Sequence, residues 1–133
     1  RDLALVAVED LDRPALAVRA GTAADGAIGG VFGHPGGEPL RIAPYRVARS
    51  LTATGRDIYG SGETARDVLE LAASLRPGDS GSPLVDPEGM VVGVAFAVAR
   101  DRSDVAYALA PSELQAVLDG RSAEAVPTGG CLT

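Results

Sequence analysis

The sequence predicts an all-β domain, an antiparallel barrel or sandwich followed by one C-terminal helix. Three observations predict it. The apolar residues fall in brief runs of Ala, Val and Leu, with little aromatic bulk: two Phe, three Tyr and no Trp. Seventeen glycines and nine prolines punctuate those runs, as turns between short strands require. Helical periodicity is clear only near the C-terminus, whereas a doubly wound α/β fold would alternate helices with strands throughout.

Leu3 to Val8 is an apolar run that reads as a buried strand. The charged, proline-bearing stretch Glu9 to Pro14 breaks it like a linker, and Ala15 to Arg19 is a second short run. Ala27 to Gly33 reads as a glycine-rich strand ending in the turn His34-Pro35-Gly36-Gly37. Leu40 to Leu51 partly alternates, as a strand with one wet face does, and Pro44 marks it as an edge or bulged strand. Thr52 to Asp67 is polar and reads as a surface loop containing Asp57 to Glu63. Val68 to Leu75 fits a strand leading into a turn at Gly78. Pro83 to Val85 and Met90 to Ala99 are strands about the turn Asp86 to Gly89, with a close backbone approach at Gly93. Val105 to Ala110 is the last strand. Pro111 to Gly120 is the helix: proline and acid near its start, Leu114, Val117 and Leu118 on one face, glycine at its end.

With 133 residues the chain can build one ordinary domain with one core. Its net charge of −6, without a basic cluster, excludes a nucleic-acid surface that gains from counterion release. No apolar run reaches the roughly 18 residues that span a bilayer. Arginine 1 stands at the head of a strand-like run with no signal peptide, so the chain is expected to be a piece of a longer protein. One histidine and one cysteine, far apart, make no metal site, and Gly29 to Gly33 lacks the following helix of a dinucleotide site. No cofactor is expected. Cys131 stands in a tail of exposed composition, where two readings remain: a disulfide to a partner outside the chain, or a free thiol.

Chemistry concentrates in Gly78-Asp79-Ser80-Gly81-Ser82-Pro83-Leu84. Glycines on either side of the Asp79-Ser80 pair leave the Ser80 hydroxyl uncrowded and let the Gly78 and Ser80 amides point into one pocket. An accessible Oγ and an anion-stabilising nest are two requirements of a serine nucleophile. The third is a base. His34, the single histidine, sits between Gly33 and Pro35 and reads as a polar turn residue.

GDSGSPL resembles the nucleophile motif of chymotrypsin-like (trypsin-fold) serine proteases, with Ser82 in place of a glycine. The resemblance extends along the chain. Asp2 before the run Leu3 to Val8 is similar to the triad-aspartate strand that ends the first barrel. Gly93 to Val98 falls where the family lines the substrate backbone, and Val105 to Leu109 precedes a C-terminal helix in the family's order. DLALVAV, GHPGG, RDIYGSGETARDV, LRPGDSGSPLVD and TGGCLT are similar to the periplasmic protease domains of mycobacterial acid-resistance membrane proteases and their actinobacterial relatives.

The resemblance implies the second six-stranded barrel of a two-barrel protease. Residues 1–14 would be the last strand of the first barrel and the interdomain linker, 15–110 the second barrel, 111–120 the helix and 121–133 the tail. It implies Ser80 as nucleophile, Asp2 as orienting aspartate, and the Gly78 and Ser80 amides as oxyanion donors. Ser74, Phe96, Ala97, Val98, Ala106 and Tyr107 would line the pocket for the residue before the scissile bond. Ser74 stands where a carboxylate would select basic residues, so a small or moderately apolar side chain is expected there. The catalytic histidine would lie upstream of Arg1, leaving this chain alone inactive. Cys131 would pair with the first barrel, and the parent would be extracytoplasmic and membrane-tethered, acting on peptides or proteins. Asp79 has two readings: a partner for a freed amino terminus, as in activated relatives, or an acceptor of local bonds within its turn. The alternative to an enzyme is a non-catalytic peptide-binding or structural module of the same fold.

Overall fold

In the computed structural model, residues 2–56 and 62–130 are described. Six strands form a closed antiparallel barrel: β1 (Ile28–Gly33), β2 (Arg41–Arg56), β3 (Glu63–Ala72), β4 (Pro83–Val85), β5 (Val91–Val98) and β6 (Val105–Leu109), in the order β1-β2-β3-β6-β5-β4, with β4 returning to β1. A helix, α1 (Pro111–Asp119), follows. Closure explains the small side chains. Every strand sends alternate residues into one narrow lumen, so Ala43, Tyr45 and Val47 of β2 meet Leu69 and Leu71 of β3, Ala106 and Ala108 of β6, and Ala95 of β5. Gly93 has no room for a side chain, since a Cβ there would lie 2.8 Å from the Leu109 carbonyl oxygen.

Two expectations are corrected. Leu3 to Val8 forms no strand and is not buried; Leu5, Val6 and Val8 are 52, 82 and 58 % exposed. The barrel closes on itself and leaves this run no free edge to join. The polar stretch Thr52 to Asp67 is not one loop but most of a long hairpin, with Thr52 opposite Asp67 and Arg56 opposite Glu63. A strand ladder is made by backbone groups, so a ribbon with no fully buried side chain at residues 52–55 and 62–67 needs no apolar pattern. Residues 57–61 of the expected loop lie outside the described residues, as does Cys131.

Other elements agree with the sequence. Pro44 pairs with Gly30 of β1 ahead of the β3 pairing, which starts at Arg46, so its missing N–H interrupts no ladder on that side. α1 starts on Pro111 with no side-chain cap on Ala110. Instead its first turn grips β3: Ser112 donates to Asp67 at 2.8 Å and the Asp67 amide donates to Glu113 at 2.9 Å. Gly120 ends the helix at a φ of −85°, a conformation any residue adopts. Residues 15–19 contribute only a single parallel bridge, Val18 to Val91. Arg19 fastens it by donating to Asp86 at 2.6 Å, and the Met90 and Glu88 amides also donate to Asp86. The Met90 amide is the largest cause holding the Asp86 carboxyl below its usual range, with Arg19 and the Glu88 amide adding to it against the opposing effect of burial.

Burial in the lumen pushes the Tyr45 hydroxyl up to about 12, and nearby Asp86 adds to the effect. The unfolded chain releases this proton near 10 and the folded chain holds it, so the stabilisation is complete below pH 10 and lost between 10 and 12. Tyrosinate absorbance of Tyr45, isolated as the difference from a Tyr45→Phe variant, should therefore rise well above pH 10, together with loss of the folded circular-dichroism signal. Titration of Tyr45 near pH 10 with the fold intact would contradict this.

Candidate active site

The turn between β3 and β4 is held by its own backbone and by β5. The Asp79 amide donates to the Arg76 carbonyl at 3.0 Å, Ser82 to Asp79 at 3.0 Å, and Gly81 to Ala95 at 2.7 Å. The Ala95 amide returns to the Ser82 carbonyl at 2.9 Å. Among the described residues, the Gly78 and Ser80 amides have no hydrogen-bond partner. The two free donors in this turn are the two amides assigned above to the oxyanion.

Glycine is required at 78 for two reasons. Its φ is +99°, and a Cβ there would lie 2.7 Å from the Gly36 nitrogen and 3.2 Å from the Pro35 Cα. The short 3-10 turn Pro35–Gly37 thus packs directly on the Ser80 turn. Gly33, just before it, makes room for the other side: a Cβ there would meet the Asp79 Oδ1 at 2.5 Å and the Ser82 Oγ at 2.6 Å.

Ser80 is exposed, and its hydroxyl donates to the Phe96 carbonyl at 3.2 Å. That carbonyl is available because the β5–β6 register shifts between Ala95 and Ala97, leaving Phe96 as the extra residue of a bulge. The uniformly apolar run Met90 to Ala99 carries no sign of the bulge.

Beside Ser80 is a cavity of about 140 Å³, walled by Gly78, Ser80, Phe96, Ala97 and Val98 together with Leu75, Arg76, Pro77 and Ala95. Ser74, Ala106 and Tyr107 do not line it. Ser74 is exposed and its carbonyl accepts from Arg41. Ala106 is fully buried in the barrel core, and Tyr107 pairs with Glu70 and Ala97. Sequence reasoning omitted Leu75, Arg76, Pro77 and Ala95; the signal for the first three is adjacency to the glycine-flanked turn, and for Ala95 adjacency to Phe96.

Asp2 lies elsewhere, in a groove formed with Leu118 and residues 121–128. Its carboxylate is 3.6 Å from an Arg66 Nη1, while the Arg66 Nε is buried without a partner among the described residues. His34 stays in its own turn, with its Nδ1 3.0 Å from the Glu38 carbonyl oxygen. Asp79 is buried and accepts from the Arg76 amide at 2.8 Å and from Arg41 at 3.4 Å. The local-bond reading of Asp79 describes the first contact; the second comes from Arg41, 38 residues away, and has no local sequence signal. Among the described residues no group of three or more metal-ligating side chains is gathered, and no helix is long and apolar enough to cross a membrane.

The trypsin-like peptidase domain matches residues 1–94. A serine protease of Mycobacterium tuberculosis H37Rv, Rv3671c, is 37 % identical over 134 residues, covering 99 % of this chain and 34 % of the relative. The chain thus spans about a third of that curated relative. The active form of the Rv3671c protease superposes with a TM-score of 0.87 at 36 % identity, covering 96 % of this chain and 57 % of that one. The inactive form superposes with a TM-score of 0.76 at 38 % identity, covering 85 % and 58 %. A serine endoprotease of Yersinia pestis, 15 % identical, shares the fold with a TM-score of 0.64 over 84 % of this chain and 37 % of that one.

Proposed function

The chain belongs to the trypsin-like peptidase family, and from that premise we propose that it is the C-terminal part of a serine endopeptidase, with Ser80 as nucleophile. The observation that carries the reading is the pairing of an exposed Ser80 hydroxyl with two unbonded amides in the same turn, above a small apolar cavity. The six-stranded barrel is the second of two, and residues 1–14 belong to the first barrel and the linker. The exposed apolar run Leu5, Val6 and Val8 supports this, because it finds no partner on the barrel of residues 28–109 and needs an apolar surface elsewhere to cover it.

In the intact protease a histidine from the first barrel takes the Ser80 proton as Oγ attacks the scissile carbonyl. Asp2 would hold that imidazole in the productive tautomer and stabilise the cation once docking of residues 3–8 on the first barrel brings it from its groove beside residues 121–128 to the histidine. The Gly78 and Ser80 amides receive the developing oxyanion, each donor worth about 3 kcal/mol. The histidine then protonates the leaving amine, and water hydrolyses the acyl-enzyme by the reverse sequence. Arg66, within ion-pairing range of Asp2, would have to leave one carboxylate oxygen for the histidine. The cavity of about 140 Å³, with Ala95, Phe96, Ala97 and Val98 in its wall, favours a small or moderately apolar side chain. A Cys131 disulfide to the first barrel, and an extracytoplasmic, membrane-tethered parent, complete the proposal; their support is the similarity to the mycobacterial proteases.

A fluorophosphonate probe tests the central claim. The intact parent should be labelled on Ser80, located by peptide mass spectrometry. This 133-residue chain alone should react at least 100-fold more slowly, since a positioned general base contributes about 10²- to 10⁴-fold. An intact, folded parent that resists the probe would instead be a non-catalytic binding module.

A further inference from the structure

Asp79 stands between the two residues whose amides are free, and its side chain is only 3 % exposed. A carboxylate buried that deeply needs hydrogen bonds and a compensating charge. The Arg76 amide, from the same turn, supplies one bond to Oδ2 at 2.8 Å. Among the described residues the only cation within ion-pair distance is Arg41, whose Nη1 lies 3.4 Å from the same oxygen.

Arg41 is not part of the turn it touches. It opens β2, directly opposite Gly33 of β1, so its backbone is fixed to the barrel. Its second arm, Nη2, donates to the Ser74 carbonyl at 3.1 Å. One guanidinium therefore ties the beginning of segment 74–82 to its centre, a two-pronged contact a lysine ammonium reproduces poorly. The segment it spans contains Gly78 and Ser80 and much of the cavity wall.

We propose that Arg41 is a positioning residue of the Ser80 site, bracing Asp79 and Ser74 so that the Gly78 and Ser80 amides stay directed at one point. Without it the Asp79 carboxylate would remain buried with no cation, and its relief is a turn of the backbone at residues 78–80 that brings the carboxylate to water. Such a backbone turn carries the amides on both sides of Asp79. The brace comes from within the barrel itself, where activated relatives are expected to use a freed amino terminus.

The inference rests on the reading of Ser80 as nucleophile, so the experiment includes both residues in the intact parent protease. Arg41→Ala should lower kcat on a peptide ester by about 10- to 100-fold, less than the 10²- to 10³-fold for deleting an oxyanion donor outright. The melting temperature should fall by several degrees, because a buried carboxylate loses its cation, and millimolar ethylguanidinium should recover at least about fivefold of the lost kcat. Arg41→Lys should fall between wild type and Arg41→Ala, and it serves if the alanine variant folds poorly. Arg41→Ala with kcat within twofold of wild type would overturn the proposal. So would parallel losses of kcat and melting temperature that guanidinium does not restore. Retention of activity by Ser80→Ala would instead remove the nucleophile assignment and this inference with it.

Discussion

Ser80→Ala in the intact protease is expected to lower kcat on the order of 10⁶-fold, the scale seen when a serine nucleophile is removed from a complete triad. Stability should hardly change. The hydroxyl is exposed and makes one hydrogen bond, 3.2 Å to the Phe96 carbonyl, which is worth at most about 1 kcal/mol. The backbone is equally tolerant, since Ser80 has no positive φ and alanine can occupy it. Kinetics and thermal melting therefore separate: a large loss of turnover beside a near-native melting temperature. A variant that keeps a tenth of wild-type activity would show that another nucleophile does the chemistry, and one that unfolds would mean that Ser80 is structural.

Gly78→Ala should be the most damaging glycine substitution in the turn, lowering kcat by about 10²- to 10³-fold as one of the two proposed oxyanion donors is displaced. Two penalties act together. An L-residue at a φ of +99° is strained by about 1–3 kcal/mol. The new Cβ also meets backbone atoms, the Gly36 nitrogen at 2.7 Å and the Pro35 Cα at 3.2 Å, which cannot rotate away as a side chain could. The turn or the neighbouring 3-10 segment must shift, and the Gly78 amide moves with it. Gly81→Ala is the comparison, because Gly81 has a φ of +90° but nothing within 4 Å of its would-be Cβ. It should lose stability through strain alone and retain more turnover than Gly78→Ala. Equal kcat values for the two variants would refute the role given to the contact with Pro35 and Gly36.

Much of the barrel was legible because its strands are brief apolar runs bounded by glycine and proline. Val31 in β1, Leu84 in β4 and Ala106, Ala108 and Leu109 in β6 all entered the core from runs identified as strands. Legibility failed where pattern and pairing part company. The Thr52 to Asp67 stretch is too polar to announce a hairpin, yet its backbone pairs through Arg56 and Glu63. The run Leu3 to Val8 announces a strand that finds no edge on this barrel.

The site divides in the same way. Its local chemistry was contained in seven consecutive residues, because a tight turn with glycine at 78 and 81 follows from φ preferences acting over a few bonds. What lay beyond that reach were contacts between residues far apart in the chain. Arg41 reaches Asp79 and Ser74, Pro35 and Gly36 press on Gly78, and the Phe96 bulge presents its carbonyl to Ser80. None of these partners carries a distinguishing local pattern. The amino-acid sequence by itself determined most of the barrel strands, the terminal helix and the tight turn at Ser80, since periodicity and backbone preference are local. Only the closed barrel decided what braces that turn and which residues wall its cavity, because closure sets the distances between strands that the chain order leaves open.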